Sequence, residues 1–477
     1  MPFTSLLFLC AFLPLFLIAY WVVRPGYKNG VALGFSLLFF GWGAPAFLPV
    51  VLALGCIDYL LTHAIAKSDS ARRRKQLLLG GITLHLSVLA YFKYSNFFVN
   101  QLNHLLPSAL ALKWSAVALP IGVSFLTFEE ISCICDVYRG DAKPARTVWH
   151  YLLFLMLFPH SIAGPIFRWK DLEKQLQTRS ESLSQIQLGV QRFCLGLGKK
   201  VLIANSLALI VDPIFALQIP QLRASLSWLA AFAFTLEIYF DFSGYSDMAI
   251  GLGNMAGFTF KENFNQPYTS ASLAEFWRRW HISLSSWMRD YLFIPLGGNR
   301  VGEGRLALNL FIVFLLSGFW HGANWTFVIW GAYHGLLIAA ERTGPIKALK
   351  AAMPRAANIA LTFTLVLIAL AIFRSPDFNF ALHFVGTLFG IGPTPVALPV
   401  TMLPGDYLAF RSVAMLVLGT GVTFYPLLRA ATNAEQTPGA HRSWEFALRY
   451  AGALVSLVLS LAYLTNSKFT PLIYFKF

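Results

Sequence analysis

Residues 306–340 read LALNLFIVFLLSGFWHGANWTFVIWGAYHGLLIAA, and no Asp, Glu, Lys or Arg interrupts them. One bilayer crossing takes about 20 apolar residues. The stretch is therefore long enough for two spans or a helical hairpin. Within hydrocarbon each backbone N–H and C=O must be bonded inside the chain, so these spans are helices.

The same pattern recurs on both sides. Apolar stretches lie near residues 3–23, 31–66, 77–99, 115–135, 149–167, 189–217, 225–256, 357–374, 381–400, 408–428 and 445–465. The stretch 31–66 breaks at Gly41-Trp42-Gly43-Ala44-Pro45, which reads as a turn. Hydrophobic residues make up 57% of the chain and charged residues 12%, about half the charged share of a soluble domain, roughly 25%. Mean hydropathy is +0.60. The reading is an all-α polytopic membrane protein of ten to twelve spans plus re-entrant or amphipathic helices. We expect a single transmembrane domain over 1–477, with no soluble domain, fixed-period repeat or low-complexity tract. The first apolar run lacks a basic leader and a small-residue cleavage site, so it reads as a retained span.

The net charge of +15 would suggest nucleic acid in a soluble protein. Here the cations fall in short segments between apolar runs, which fits the positive-inside rule and contact with anionic membrane lipids. Arg72-Arg73-Arg74-Lys75 is expected on the cytoplasmic side, with Arg24 and Lys28, placing the N-terminus outside. Cys133 and Cys135 form a C-x-C with no second cluster, so we expect small buried thiols and no metal site.

Residues 257–305 stand apart, polar and charged between strongly apolar runs. Phe276, Trp280 and Leu284 recur at helical spacing beside Arg278, Arg279 and Arg289, as expected of an amphipathic or re-entrant helix. Polar backbone at membrane depth is tolerated only against protein or a water-filled cavity. The polar segment from about 257 to 335 is thus the first place to seek a site.

Its sharpest feature is Ser317-Gly318-Phe319-Trp320-His321-Gly322-Ala323-Asn324-Trp325. An ionisable group inside a span defaults to a functional hypothesis, and a neutral imidazole is a competent base near pH 7. A core histidine bonded to a neighbouring helix is the alternative. The second cluster is Phe276-Trp277-Arg278-Arg279-Trp280-His281-Ile282-Ser283. Two histidines with several arginines suit a reaction at a thioester, the cations holding the phosphates of a donor such as coenzyme A. Alternatively, the arginines anchor a helix at the headgroups. His334 reads as a lining or structural residue. Asp241 and Asp247 need partners near them, either local hydroxyls or Arg and His from 276–290. Trp320, Asn324 and Tyr245 complete the candidate lining. No nucleophile elbow, Walker loop, H-E-x-x-H or dinucleotide glycine pattern appears.

Ordered along the chain are Leu119-Pro120-Ile121-Gly122-Val123-Ser124-Phe125, Asp136-Val137-Tyr138-Arg139-Gly140, Ile162-Ala163-Gly164-Pro165-Ile166 and Asp241-Phe242-Ser243-Gly244-Tyr245-Ser246-Asp247. They continue with the 276–285 cluster, Asp290-Tyr291, Trp320-His321-Gly322 and Ile473-Tyr474-Phe475-Lys476-Phe477. This series resembles the membrane-bound O-acyltransferase family, and most closely its bacterial alginate O-acetylation branch. The resemblance implies a ring of tilted helices around a central funnel. It implies His321 as the catalytic histidine and His281 as a second essential one. It further implies acetyl-CoA as donor with no bound cofactor, a polysaccharide acceptor, a periplasmic acetyltransferase partner and the bacterial inner membrane. The alternatives are a D-alanyl transferase fed by a carrier-protein thioester, lysophospholipid acylation, a non-catalytic polysaccharide export subunit and an ion-coupled transporter. One departure stands out: Glu129-Glu130 follows Phe125-Leu126-Thr127-Phe128, where the family often has Gln and a small residue. Two adjacent carboxylates in an apolar run demand partners or a proton.

Overall fold

The computed structural model describes residues 1–120, 122–161, 164–392, 394, 396–398, 407–431 and 443–466. Ile121, Ile162, Ala163 and the closing 473–477 motif lie outside the described residues. The described secondary structure is helical throughout. Seven of its helices are long and apolar enough to cross a membrane, and the helices Phe8–Val22, Trp325–Ala340 and Phe378–Leu388 are shorter but apolar. The chain is thus a multi-pass membrane protein, and it packs as two compact units.

The first unit comprises Met1–Val190 and Ala249–Lys261. It contains α1 (Leu13–Val22), α2 (Lys28–Gly43), α3 (Leu48–Lys67), α4 (Ala71–Leu89), α5 (Ser95–Leu105), α6 (Val123–Arg139) and α7 (Val148–Met156). The expected turn comes at 44–47, between α2 and α3, while 41–43 still belong to the last turn of α2. Phe158 is the hub of an aromatic cluster, with ring centroids 5.0 Å from Phe16, 5.3 Å from Phe12 and 5.5 Å from Phe39. On the other face of α1, Ile18 is 61% and Val22 79% exposed. In lipid such exposure costs nothing, because hydrocarbon is as apolar as the side chains. The helix α6 ends at Gly140, whose φ of +80° suits a residue without Cβ. The Asp141 amide closes that end by donating to the Asp136 carbonyl at 2.9 Å.

The second unit comprises Gln191–Met248 and Glu262–Phe477. After α8 (Trp169–Leu172), which belongs to the first unit, come α9 (Leu183–Gly198), α10 (Asn205–Phe215), α11 (Ala224–Met255) and two short helices, α12 (Leu273–Arg279) and α13 (Ile282–Met288). Then follow α14 (Glu303–His321), α15 (Trp325–Ala340), α16 (Gly344–Ala352), α17 (Arg355–Arg374) and α18 (Phe378–Leu388). Two long helices close the described chain, Phe410–Ala431 and Ser443–Asn466. The stretch 306–340 is a hairpin of α14 and α15. Its backbones nearly touch, since a Cβ on Gly318 would lie 2.2 Å from the Phe327 carbonyl oxygen and one on Gly331 2.4 Å from that of Phe314. Small residues permit this approach, which in lipid supplies the packing energy that the hydrophobic effect does not.

Candidate active site

The polar segment is not one continuous helix. Ser272 caps α12 by accepting from the Glu275 amide at 3.0 Å, and Glu275 reaches back to the Ala271 amide at 2.8 Å. Glu341, at the end of α15, accepts from the Leu273 amide at 3.1 Å. These carboxylates satisfy the amides a helix start leaves free and oppose its positive end. The helix breaks at Trp280–His281, where His281 takes a left-handed conformation, φ 44° and ψ 55°. That is costly for a residue with Cβ and is found where surroundings over-determine it. The expected single run through Phe276, Trp280 and Leu284 is therefore divided, with Leu284 on α13.

What over-determines His281 is Asn263. The Asn263 side-chain oxygen lies 3.2 Å from His281 Nδ1 and accepts from the Ser283 amide at 3.1 Å and the Ser283 hydroxyl at 2.9 Å. Its amide donates to Ser246 Oγ at 3.1 Å. With its oxygen oriented to accept, Asn263 receives a hydrogen bond from Nδ1–H, the tautomer that leaves the lone pair on Nε2. Nε2 is buried with no hydrogen-bond partner. Burial, with no charge against it, pushes the imidazole down to about 3, so it is neutral at physiological pH. The Phe242 ring packs edge-on at 4.6 Å.

His321 closes α14 and is also buried. Trp320, Trp330 and Phe373 surround its ring at 5.0, 5.1 and 5.4 Å. Trp330 also packs on His334 at 4.9 Å, and Trp277 touches both Trp330 and His334. Aromatic contacts run continuously from His281 to His321 through Phe242, Phe264, Trp280, Phe276, Trp277 and Trp330. Around this chain Ser243 Oγ, Trp277 Nε1, Trp330 Nε1 and His334 Nδ1 are buried without hydrogen-bond partners. Buried polar atoms are rarely left so, and such a concentration is what a ligand site presents.

The other candidates divide. Arg278 is exposed. Arg279 pairs with Glu275 at 2.7 Å and donates to Thr269 at 3.1 Å. Arg289 is exposed and pairs with its neighbour Asp290 at 2.7 Å. Asn324 caps α15 by accepting from the Thr326 amide at 3.1 Å and ties the loop to the Pro376 carbonyl at 2.9 Å. Trp320 and Tyr245 are buried, the latter one turn after Asp241 on α11. Asp241 pairs with Lys200, and Asp247 with Arg192 at 2.9 Å and Lys199 at 2.6 Å. These cations come from 192–200 and not from 276–290 as expected. Lys199 and Lys200 belong to a π-helical turn, Lys199–Ala204, a distortion frequent at functional sites. The sequence offered no local signal for Asn263, which lies 18 residues before His281.

A model of the membrane-bound O-acyltransferase family matches residues 147–344, the part that carries both histidines. The probable alginate O-acetylase AlgI of Pseudomonas putida is 41% identical over 495 aligned residues, covering all of both chains. That of Azotobacter vinelandii is 40% identical, again over both full lengths. The peptidoglycan O-acetyltransferase of Helicobacter pylori is 31% identical over 82% of this chain and 80% of its own.

Proposed function

The chain belongs to the membrane-bound O-acyltransferase family, and from that premise we propose that it moves acetyl from cytoplasmic acetyl-CoA onto an exported polysaccharide. It is an O-acyltransferase, and three relatives that it matches over 80% or more of their length are named for O-acetylation of alginate or peptidoglycan. The finer reading sets it in the bacterial inner membrane. Transfer is direct or relayed through a periplasmic acetyltransferase partner, and residues 1–477 act as one catalytic domain. The observation that carries the mechanism is the pair of buried histidines in one aromatic wall, one of them held at Nδ1 by Asn263.

In this mechanism the acceptor hydroxyl oxygen attacks the thioester carbonyl carbon. His321 takes the hydroxyl proton as the bond forms. The C–S bond breaks, and the proton passes to the departing thiolate, restoring neutral His321 and releasing coenzyme A. His281 positions the reacting groups or stabilises charge at the carbonyl oxygen. Thiolate is a good leaving group, so no covalent enzyme intermediate is required. Of the three arginines, exposed Arg278 and Arg289 are open to the donor's phosphates, Arg289 beside Asp290, whereas the partly buried Arg279 is engaged with Glu275. Asp241, Tyr245, Trp320 and Asn324 shape the wall.

The test is thiol release from acetyl-CoA by purified protein with alginate, peptidoglycan and other glycan acceptors, wild type beside His321→Ala. Release that depends on His321 and on acceptor supports the reading. Full activity in a folded His321→Ala protein sinks the role of His321. Release only from an acyl-carrier thioester would move the donor assignment to the D-alanyl transferase type.

A further inference from the structure

The connection from α15 to α17 gathers cations that the transfer reaction does not use. Arg342, Lys347, Lys350 and Arg355 fall together between two apolar helices, which by the positive-inside rule sets this end on the cytoplasmic face. A cavity of about 250 Å³ opens there within the second unit, lined by Ser272, Ile338, Glu341, Arg342, Lys347 and Lys350. Its one carboxylate is engaged: Glu341 pairs with Lys350 and accepts from the Leu273 and Ala274 amides at 3.1 and 3.4 Å. Arg355 pairs with Glu275 at 3.4 Å. Arg342 and Lys347 are exposed and have no carboxylate partner among the described residues.

We propose that this cavity holds the phosphate headgroup of one anionic phospholipid, gripped by Arg342 and Lys347. Charge asks for an anion. Lys350 and Glu341 cancel, and two positive charges remain at the mouth. A phosphate accepts charge-assisted hydrogen bonds from both a guanidinium and an ammonium. Size limits the occupant. The cavity is smaller than the roughly 300–1,000 Å³ that enclose a drug-sized ligand, so it takes a headgroup and leaves the acyl chains outside.

The outer face of α16 assigns the phosphate to a lipid. At about 100° per residue, Lys347 and Lys350 flank one face with Ile346, and Ala348, Leu349 and Ala352 lie on the other. Those three are exposed, Leu349 at 54%. A short connector with an apolar outer face and a basic inner one rests in the membrane interface, which sets the cavity at headgroup level. Asn358 of α17 fixes this pose by donating to the Lys350 carbonyl at 2.8 Å and the Met353 carbonyl at 3.2 Å. Ser272 and Glu341 also secure the start of α12, so an occupied cavity braces the helix that leads to His281.

The experiment is native mass spectrometry of the full-length protein in detergent, titrated with phosphatidylglycerol and, separately, with phosphatidylcholine. Wild type is expected to retain phosphatidylglycerol in preference. Arg342→Gln and Lys347→Gln are each expected to weaken it about fivefold, the worth of one cation at an anionic surface. Lys75→Gln removes an exposed cation from the first unit and is expected to change nothing. Wild type is also expected to melt at a higher temperature with phosphatidylglycerol than with phosphatidylcholine, and the Arg342→Gln, Lys347→Gln double variant to lose that shift. Equal retention of the two lipids overturns the proposal, as does unchanged affinity in the double variant. An equal loss in Lys75→Gln means diffuse attraction and no site. Inorganic phosphate and acetyl-CoA form the remaining arms. If either displaces phosphatidylglycerol through Arg342 and Lys347, the occupant is a soluble phosphate and the lipid assignment fails. None of these readouts depends on acyl transfer, so the proposal stands or falls apart from the assigned reaction.

Discussion

Gly318→Ala tests how His321 is held. Gly318 lies one turn before His321 on α14, facing α15. The added Cβ would meet the Phe327 carbonyl oxygen at 2.2 Å, Gly331 Cα at 2.9 Å and Gly331 N at 3.0 Å, where ordinary contact begins near 3.4 Å. All three atoms are backbone, so no rotamer change relieves the clash. The helices must part by roughly 1 Å, an overpacking that costs about 1–3 kcal/mol. Parting α14 from α15 moves His321 away from Trp330, 5.1 Å off on the facing helix. A misplacement of about 1 Å at a reacting group can cost about a hundredfold in rate. The assay is thiol release per folded enzyme, with thermal stability measured alongside. Gly304→Ala on the same helix is the control, because a Cβ there meets nothing within 4 Å. Wild-type rate and stability in Gly318→Ala would refute the claim that backbone contact positions His321.

Asn263→Ala is expected to lower the turnover rate about 10- to 100-fold with binding of donor little changed, through loss of the His281 tautomer; an unchanged rate removes Asn263 from the site. Asp241→Asn leaves Lys200 a buried charge without its carboxylate and is expected to destabilise by about 3–5 kcal/mol, and pairing it with Lys200→Met should recover much of the loss in thermal unfolding. Burial raises Asp171, but hydrogen bonds from Arg168 and Lys261 outweigh it and hold the carboxyl below its ordinary value. Its folded pKa is depressed, so its stabilisation is present above about pH 4 and is lost as pH falls through the folded value; Asp171→Asn should be less stable than wild type at pH 7 and should match it in acid. A stability gap that persists at the lowest pH would contradict that linkage.

The spans were legible because lipid imposes strict rules, and the same rules singled out His321 as a candidate. A chain without charges over 35 residues must be helical, and an ionisable residue within it must have a reason. The break between α2 and α3 was legible from Gly41–Pro45. The break at His281 was not, since a histidine in the left-handed region follows from Asn263 and Ser283 and not from its neighbours' propensities. The partners of Asp241 and Asp247 were missed for a related reason. A π-helical turn at Lys199–Ala204 turns Lys199 and Lys200 toward α11, and sequence spacing has no register for that turn. Glu129-Glu130 was legible as an anomaly. Its resolution was not, because Glu130 meets His85 and Glu129 meets His160, and both come from other elements.

The proposed mechanism gives the two histidines of the wall different tasks, and the partner of His281 supplies the reason. A base gains strength from an anionic neighbour that stabilises its protonated form. His281 has an amide oxygen on Nδ1 instead, in a buried setting that holds it near 3. Such a group is a poor proton acceptor at neutral pH, yet it keeps a directed lone pair on Nε2 and a constant charge. A hydroxyl or a thioester's amide arm can be positioned by that lone pair without a proton changing hands. On the proposed mechanism proton transfer is left to His321, at the C-terminal end of α14, where the helix dipole favours a protonated imidazole. Asn263→Asp separates the two tasks. A carboxylate at Nδ1 should raise the His281 pKa and make it a competing base, moving the acid limb of the rate profile to higher pH. If that limb does not move while activity survives, His281 is not a neutral positioning group, and the division of labour is wrong.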